Sequence, residues 1–180
     1  MRVFSAIGVP DDVALRLSMF RGGLSDAKWV EPSDFHVTLA FFGELDGNQA
    51  NDLAEALGEL ELPPIRVRLS SLGVFGAERP HAIVALADKA PELLSLEAAH
   101  RSVCGRLGIR LETRRYTPHV TLGRLRRTSA GEVAAWMGPQ PVFDTCAWTA
   151  KCFSIYSSRT SRGGGPYVAE WEFPLGDDDA

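Results

Sequence analysis

Cysteine is scarce in this 180-residue chain: only Cys104, Cys146 and Cys152 occur, an odd number with no Cys-x-x-Cys pair. That argues against a disulfide framework and a thiolate zinc site, and it points to a reducing compartment. Long apolar runs are missing too. No stretch approaches the roughly 20 residues a membrane-spanning helix needs, and the opening M-R-V-F-S-A-I-G-V-P-D-D meets two acids too early for a secretory leader. A soluble cytoplasmic protein is expected, and nothing points beyond a monomer. Positive charge is not in excess: 19 Lys plus Arg face 23 Asp plus Glu, for a formal net charge of −4. No global field recruits a polyanion, so any site for one must be local. A low-complexity linker is absent as well, so the chain reads as one domain over residues 1–180, ending in an acidic tail at 176–180.

What is present is a repeat. Position 36 begins His-Val-Thr-Leu within F-H-V-T-L-A, and position 119 begins it again within P-H-V-T-L-G, about half the chain further on. A duplicated unit accounts for this spacing. Arginines gather around the second copy, with Arg110, Arg114 and Arg115 before it and Arg124, Arg126 and Arg127 after it. Such a cluster is either a solvated face or a local anion site.

The surrounding pattern alternates strands and helices. Strands are expected at Arg2–Ile7, Lys28–Glu31, Phe35–Phe42, Ile65–Leu72, His81–Ala87 and around His119. A helix after Pro10 should bury Val13, Leu15, Leu17 and Phe20 before Gly22-Gly23 stops it. Asp46-Gly47-Asn48 opens a second helix, and Pro91 a third with Leu93, Leu94, Leu96, Val103 and Leu107 as its apolar side. Ser129 and Glu132 have capping-box spacing for a fourth. Cys146–Ser157 and Tyr167–Phe173 read as a closing hairpin around R-T-S-R-G-G-G-P. With the repeat, this gives an α+β protein of two similar lobes facing each other across a cleft.

On a strand, alternate residues share a face. His36 and Thr38 therefore point one way while Val37 and Leu39 enter a core, and His119 and Thr121 do likewise against Val120 and Leu122. Two imidazoles and two hydroxyls then converge if the lobes oppose each other. That set suits phosphodiester cleavage: one neutral imidazole takes a proton from the attacking oxygen, and one imidazolium gives a proton to the leaving oxygen. Threonine hydroxyls and an arginine would hold the phosphate oxygens. No metal is demanded, since each repeat supplies one His and no carboxylate or thiol at ligand spacing. A single half-buried strand His is usually structural; two in matching settings are not so readily explained.

With these residues in view, the chain resembles the two-histidine (2H) phosphoesterases, specifically the LigT-like RNA 2′,3′-cyclic phosphodiesterases. Their paired H-x-T-x motifs are seen here as His36-Val37-Thr38-Leu39 and His119-Val120-Thr121-Leu122. The contexts W-V-E-P-S-D-F-H-V-T-L-A-F-F-G-E and R-R-Y-T-P-H-V-T-L-G-R are similar to the family's, as are the first strand and F-S-I-Y-S-S-R followed by G-G-G-P-Y. The resemblance implies a bilobal α+β fold with pseudo-two-fold lobes, each a mainly antiparallel sheet with helices on its outer face, and an active-site cleft between them. It implies hydrolysis of RNA-terminal 2′,3′-cyclic phosphate to a 2′-phosphomonoester, with neither ATP, cofactor nor metal. RNA termini or oligonucleotides with that end would be the partners. By the same resemblance, His36 is proton donor, His119 proton acceptor, and Thr38 and Thr121 hold phosphate. Arg124 and Arg114 match family arginines on either side of the second motif.

The residues themselves leave the donor and acceptor interchangeable, because the two strands are near-equivalent. Strict alternation also puts Arg124 on the face opposite His119, so a twist or bulge after Gly123 is needed to aim it at phosphate. Tyr116, Phe42 and Trp29 are candidates to stack on a base. His81 and His100 fall outside both motifs. Two other functions remain open: 2′-5′ RNA ligation by the reverse-type reaction, and non-catalytic binding of RNA ends or nucleotides.

Overall fold

A computed structural model describes residues 2–158 and 166–176. Strand β1 (Arg2–Gly8) buries all five of its interior residues, so it lies inside a sheet covered on both faces. Helix α1 (Asp11–Ser18) follows, its first turn carrying Asp11 and Asp12 against the positive end of the helix dipole. It buries Val13, Ala14 and Leu17, whereas Leu15, expected with them, stands on the opposite face and is 71% exposed. Strand β2 (Ala27–Trp29) stops short because Pro32–Asp34 forms a 3₁₀ turn. That turn leads into β3 (His36–Glu44), then α2 (Gly47–Gly58), capped by Asp46 with Gln49 reciprocating.

Strand β4 (Ile65–Phe75) overruns the expected stop at Leu72 and pairs Gly73, Val74 and Phe75 with Val84, Ile83 and Ala82 of β5 (Ala82–Ala87). The chain continues through α3 (Pro91–Arg106), β6 (His119–Leu125) and α4 (Ala130–Met137), which carries the expected Ser129/Glu132 capping box. It closes with β7 (Cys146–Ala150), β8 (Cys152–Ser158) and β9 (Tyr167–Pro174). The single strand expected from Cys146 to Ser157 is in fact two, interrupted at Lys151: β7 pairs with β4, and β8 with β1. The β8–β9 hairpin forms as expected, while most of its R-T-S-R-G-G-G-P connection and the residues after Gly176 lie outside the described residues.

The strands run in the order β7-β4-β5-β6-β3-β1-β8-β9, with β2 added on β6 and every pair antiparallel. The path narrows at β3–β6, which share one paired position, Val37 with Val120. Either side of that seam is a four-strand lobe, β3-β1-β8-β9 and β6-β5-β4-β7, and the two match in order. The lobes are not the sequence halves. Strands β4 and β5 leave the first half to join the second lobe, and β8 and β9 return from the second half to the first.

Helix α3 packs on β3 and β4, and α2 packs on α3 and β9. Burying Leu93, Leu96 and Val103 of α3 stabilises this layer by about 1.5–3 kcal/mol per side chain. Leu94 and Leu107, expected on that face, are 36% and 39% exposed, and the buried His100 takes a place in the stripe instead. Phe42 of β3 faces this layer, its ring 6.4 Å from that of His100. The opposite face of the seam carries His36, Thr38, His119 and Thr121. Among the described residues no helix is long and apolar enough to cross a membrane.

Candidate active site

The two repeat strands begin alike. Half-buried His36 and Thr38 alternate with buried Val37 and Leu39, and half-buried His119 and Thr121 alternate with buried Val120 and Leu122. Both strands then skip a beat. Along β1 the partner jumps from Ala40 to Thr38 between Ser5 and Ala6, and along β5 it jumps from Gly123 to Thr121 between Ile83 and Val84. Leu39 and Leu122 are thus the extra residues of matching β-bulges. A bulge inverts the alternation, so Phe41 and Arg124, each five residues beyond its histidine, return to the face of the histidine and threonine. Arg124 is aimed by this device, whose extra residue is Leu122, before Gly123 rather than after it as expected. Trp29 of β2 lies over Gly123, where an added Cβ would sit 2.8 Å from the indole ring.

The histidines are held in the same way. Nδ1 of His36 lies 2.7 Å from the carbonyl oxygen of Asp34, in the 3₁₀ turn. Nδ1 of His119 lies 2.7 Å from the carbonyl oxygen of Thr117, which Pro118 keeps extended. A carbonyl only accepts, so each Nδ1 carries a donated proton and each Nε2 is left free for chemistry. Burial lowers the pKa of both rings, the carbonyl contacts oppose this, and the Arg124 guanidinium lowers both further. The charge of His119 also bears on His36, so three cationic groups share one small region.

His36, Thr38, His119, Thr121 and Arg124 all line one cleft of about 570 Å³. Its two sides differ. Around His36 the walls are aromatic: Phe4 lies at 5.0 Å between ring centroids and Tyr167 sits edge-on at 5.3 Å. His119 has Phe75 edge-on at 4.6 Å, with His81 a further 6.3 Å from Phe75, and the cleft lining also includes Arg2, Arg114 and Arg115. Arg114 is 80% exposed and ion-paired with Glu112 at the mouth. The Tyr116 hydroxyl donates to the carbonyl oxygen of Thr38 at 3.0 Å, tying the segment before β6 to the other lobe. Burial raises its pKa, so this phenol keeps its proton. Of the other aromatics considered, Phe42 is buried in the core and Trp29 packs at 5.8 Å from Trp136, so neither lies in the cleft lining.

Several cleft residues went unassigned in the sequence reading, among them Phe4, Phe41, Phe75, His81 and Tyr167. His81 begins an apolar strand and gives no local signal. Phe41 has one: aligning H-V-T-L-A-F against H-V-T-L-G-R sets it opposite Arg124.

Fold and site together define a class: a two-lobed α+β protein whose seam presents two backbone-oriented imidazoles, two hydroxyls and a guanidinium to one cleft. The family model described as "LigT like Phosphoesterase" matches residues 7–85 and again 84–167. A Bacillus subtilis protein named RNA 2′,3′-cyclic phosphodiesterase is 31% identical over 126 residues, covering 66% of this chain and 69% of its own. A Methanocaldococcus jannaschii protein of the same name is 26% identical over 176 residues, covering 95% and 100%. The crystal structure of E. coli LigT complexed with 3′-AMP superposes with a TM-score of 0.82 at 23% identity, covering 98% of each chain. The chain belongs to the LigT-like phosphoesterase family, and it is an enzyme.

Proposed function

We propose that this chain hydrolyses the 2′,3′-cyclic phosphate at the end of an RNA strand to a 2′-phosphomonoester, with His36 as proton donor and His119 as proton acceptor. The observation that carries the reading is the duplicated histidine geometry: two Nε2 atoms, each left free by an Nδ1–carbonyl hydrogen bond, on strands that pair at Val37 and Val120. The names of the relatives agree with it.

In the reaction, Nε2 of His119 takes a proton from water as the water oxygen bonds to phosphorus. The P–O3′ bond breaks on the opposite side, and O3′ takes the proton of His36 Nε2. Thr38 and Thr121 donate hydroxyl hydrogen bonds to the non-bridging oxygens, and Arg124 balances their growing charge. Arg114 and Tyr116 contribute at the edge of the site, Arg114 to the approach of the anionic chain and Tyr116 by bounding the pocket. This assignment of donor and acceptor is the one the family resemblance implies.

An oligoribonucleotide with a 2′,3′-cyclic end should be converted to the 2′-phosphate without ATP or added metal. His36→Ala and His119→Ala should each lower kcat/KM by about 10²–10⁴, with unchanged circular dichroism. Full turnover by either variant would overturn the mechanism. Joined strands in place of a 2′-phosphate would establish ligation instead.

A further inference from the structure

The two lobes meet at a thin place. Strands β3 and β6 pair at Val37 and Val120 and at no further position, although each strand carries half of the reacting set. Beside that single rung, the Tyr116 hydroxyl reaches across the seam to the carbonyl oxygen of Thr38 at 3.0 Å. The phenol stands three residues ahead of the second motif and the carbonyl lies inside the first, so one hydrogen bond joins the two motifs directly. The segment that carries the phenol is also fixed further back. Arg101 of α3 donates from Nη1 to the carbonyl oxygen of Glu112 at 3.2 Å and is itself held by Glu97 at 2.6 Å. A tether with its near end anchored on a helix can hold what its far end touches. Burial, and after it the Glu97 carboxylate, raises the pKa of the phenol, so the tether keeps its donor proton.

We propose that Tyr116 is a positioning residue: its hydroxyl fixes β3 at Thr38, so that the threonine side chain meets the phosphate that His119 serves from the other lobe. The inference rests on the hydrolytic reading above and adds to it a role exercised through the backbone, with no contact to substrate required. A phosphate gripped from two lobes demands that both grips be in register, and small errors of placement are costly in rate. Where a single rung sets that register, a second tie has leverage that the same bond inside a wide sheet would lack.

Tyr116→Phe keeps the ring and removes only the oxygen. On an oligoribonucleotide with a 2′,3′-cyclic end it should lower kcat/KM about 3- to 10-fold, the weight of one net hydrogen bond. A double-mutant cycle with Thr38→Ala separates positioning from a merely structural role. Because the phenol acts through Thr38, Tyr116→Phe should cost less than about twofold more once that side chain is gone. Hydrogen exchange reads the tie without any substrate: amides of residues 36–38 and 119–121 should exchange about 3- to 10-fold faster in Tyr116→Phe, and those of the β4–β5 pair at an unchanged rate. An unchanged rate of turnover in the single variant, the full loss repeated in the Thr38→Ala background, or unaltered exchange at the seam would each overturn the proposal. If the wild-type chain does not turn over the cyclic end, the hydrolytic reading fails separately, and exchange at the seam still decides whether Tyr116 holds the two motifs together.

Discussion

Arg124 bears on both histidines at once, because its cation disfavours the imidazolium of His36 and of His119 in addition to the effect of burial. Both rings therefore titrate below the ordinary value of about 6.5. On the proposed roles, activity rises as His119 loses its proton and falls as His36 loses its own, so kcat/KM should peak on the acid side of neutrality. Arg124→Gln removes the cation, which makes each imidazolium easier to form. Both limbs of the profile should then move to higher pH, while kcat falls about 10²–10³-fold for want of a charged donor. Limbs that stay in place would show that the guanidinium does not act on the pair. At this scale the clustering was legible: repetition singled out His36, Thr38, His119 and Thr121, and all four line one cleft. Phe41 was not, since one phenylalanine in an apolar strand looks like packing until the bulge turns it outward.

The bulges are features of elements, and a strand's own alternation does not reveal them. They arise where two residues of β3 or β6 face one of β1 or β5, so they exist only in the pairing. Gly123 adjoins the second bulge and lies under Trp29, where even a methyl group would be 2.8 Å from the indole. Gly123→Ala should cost about 1–3 kcal/mol, because Trp29 is itself packed against Trp136 and β2 must shift. It should also lower kcat/KM of the folded fraction, since Arg124 is the next residue. Urea midpoints with rates on folded protein check both; unchanged activity would make the bulge incidental to catalysis. The capping boxes at Asp46 and Ser129 were readable in advance because their partners are three residues away. The break at Lys151 was not, because C-A-W-T-A-K-C-F-S-I-Y holds no turn residue and the interruption follows from β7 and β8 serving different lobes.

The exchange of strands between the sequence halves ties the two lobes together, and His100 lies on the helix that packs on β3 and β4. It is fully buried on α3, its Nδ1 donating to the carbonyl oxygen of Leu96 and its ring set against Phe42 of β3 and Phe153 of β8. Burial pushes its pKa down to about 4. The unfolded chain, with an ordinary imidazole, takes up a proton that the folded one refuses between about pH 6.5 and 4. Stability is therefore complete above 6.5 and declines as pH falls through this window, by about 3 kcal/mol in all. His100→Leu should flatten the dependence of the urea unfolding free energy on pH across that range; an unaltered slope would place the acid sensitivity elsewhere.

The amino-acid sequence by itself determined the repeat, the alternation that puts imidazole and hydroxyl on one edge of each strand, and the caps and prolines that bound the helices. These rest on sterics and hydrogen bonds between residues close in the chain. Tertiary structure alone decided which strand joins which lobe, where the alternation inverts to bring Arg124 and Phe41 inward, and that His100 is core while His81 borders the cleft. Register and burial are properties of a strand or helix together with its partners, and those partners lie beyond the reach of any local sequence pattern.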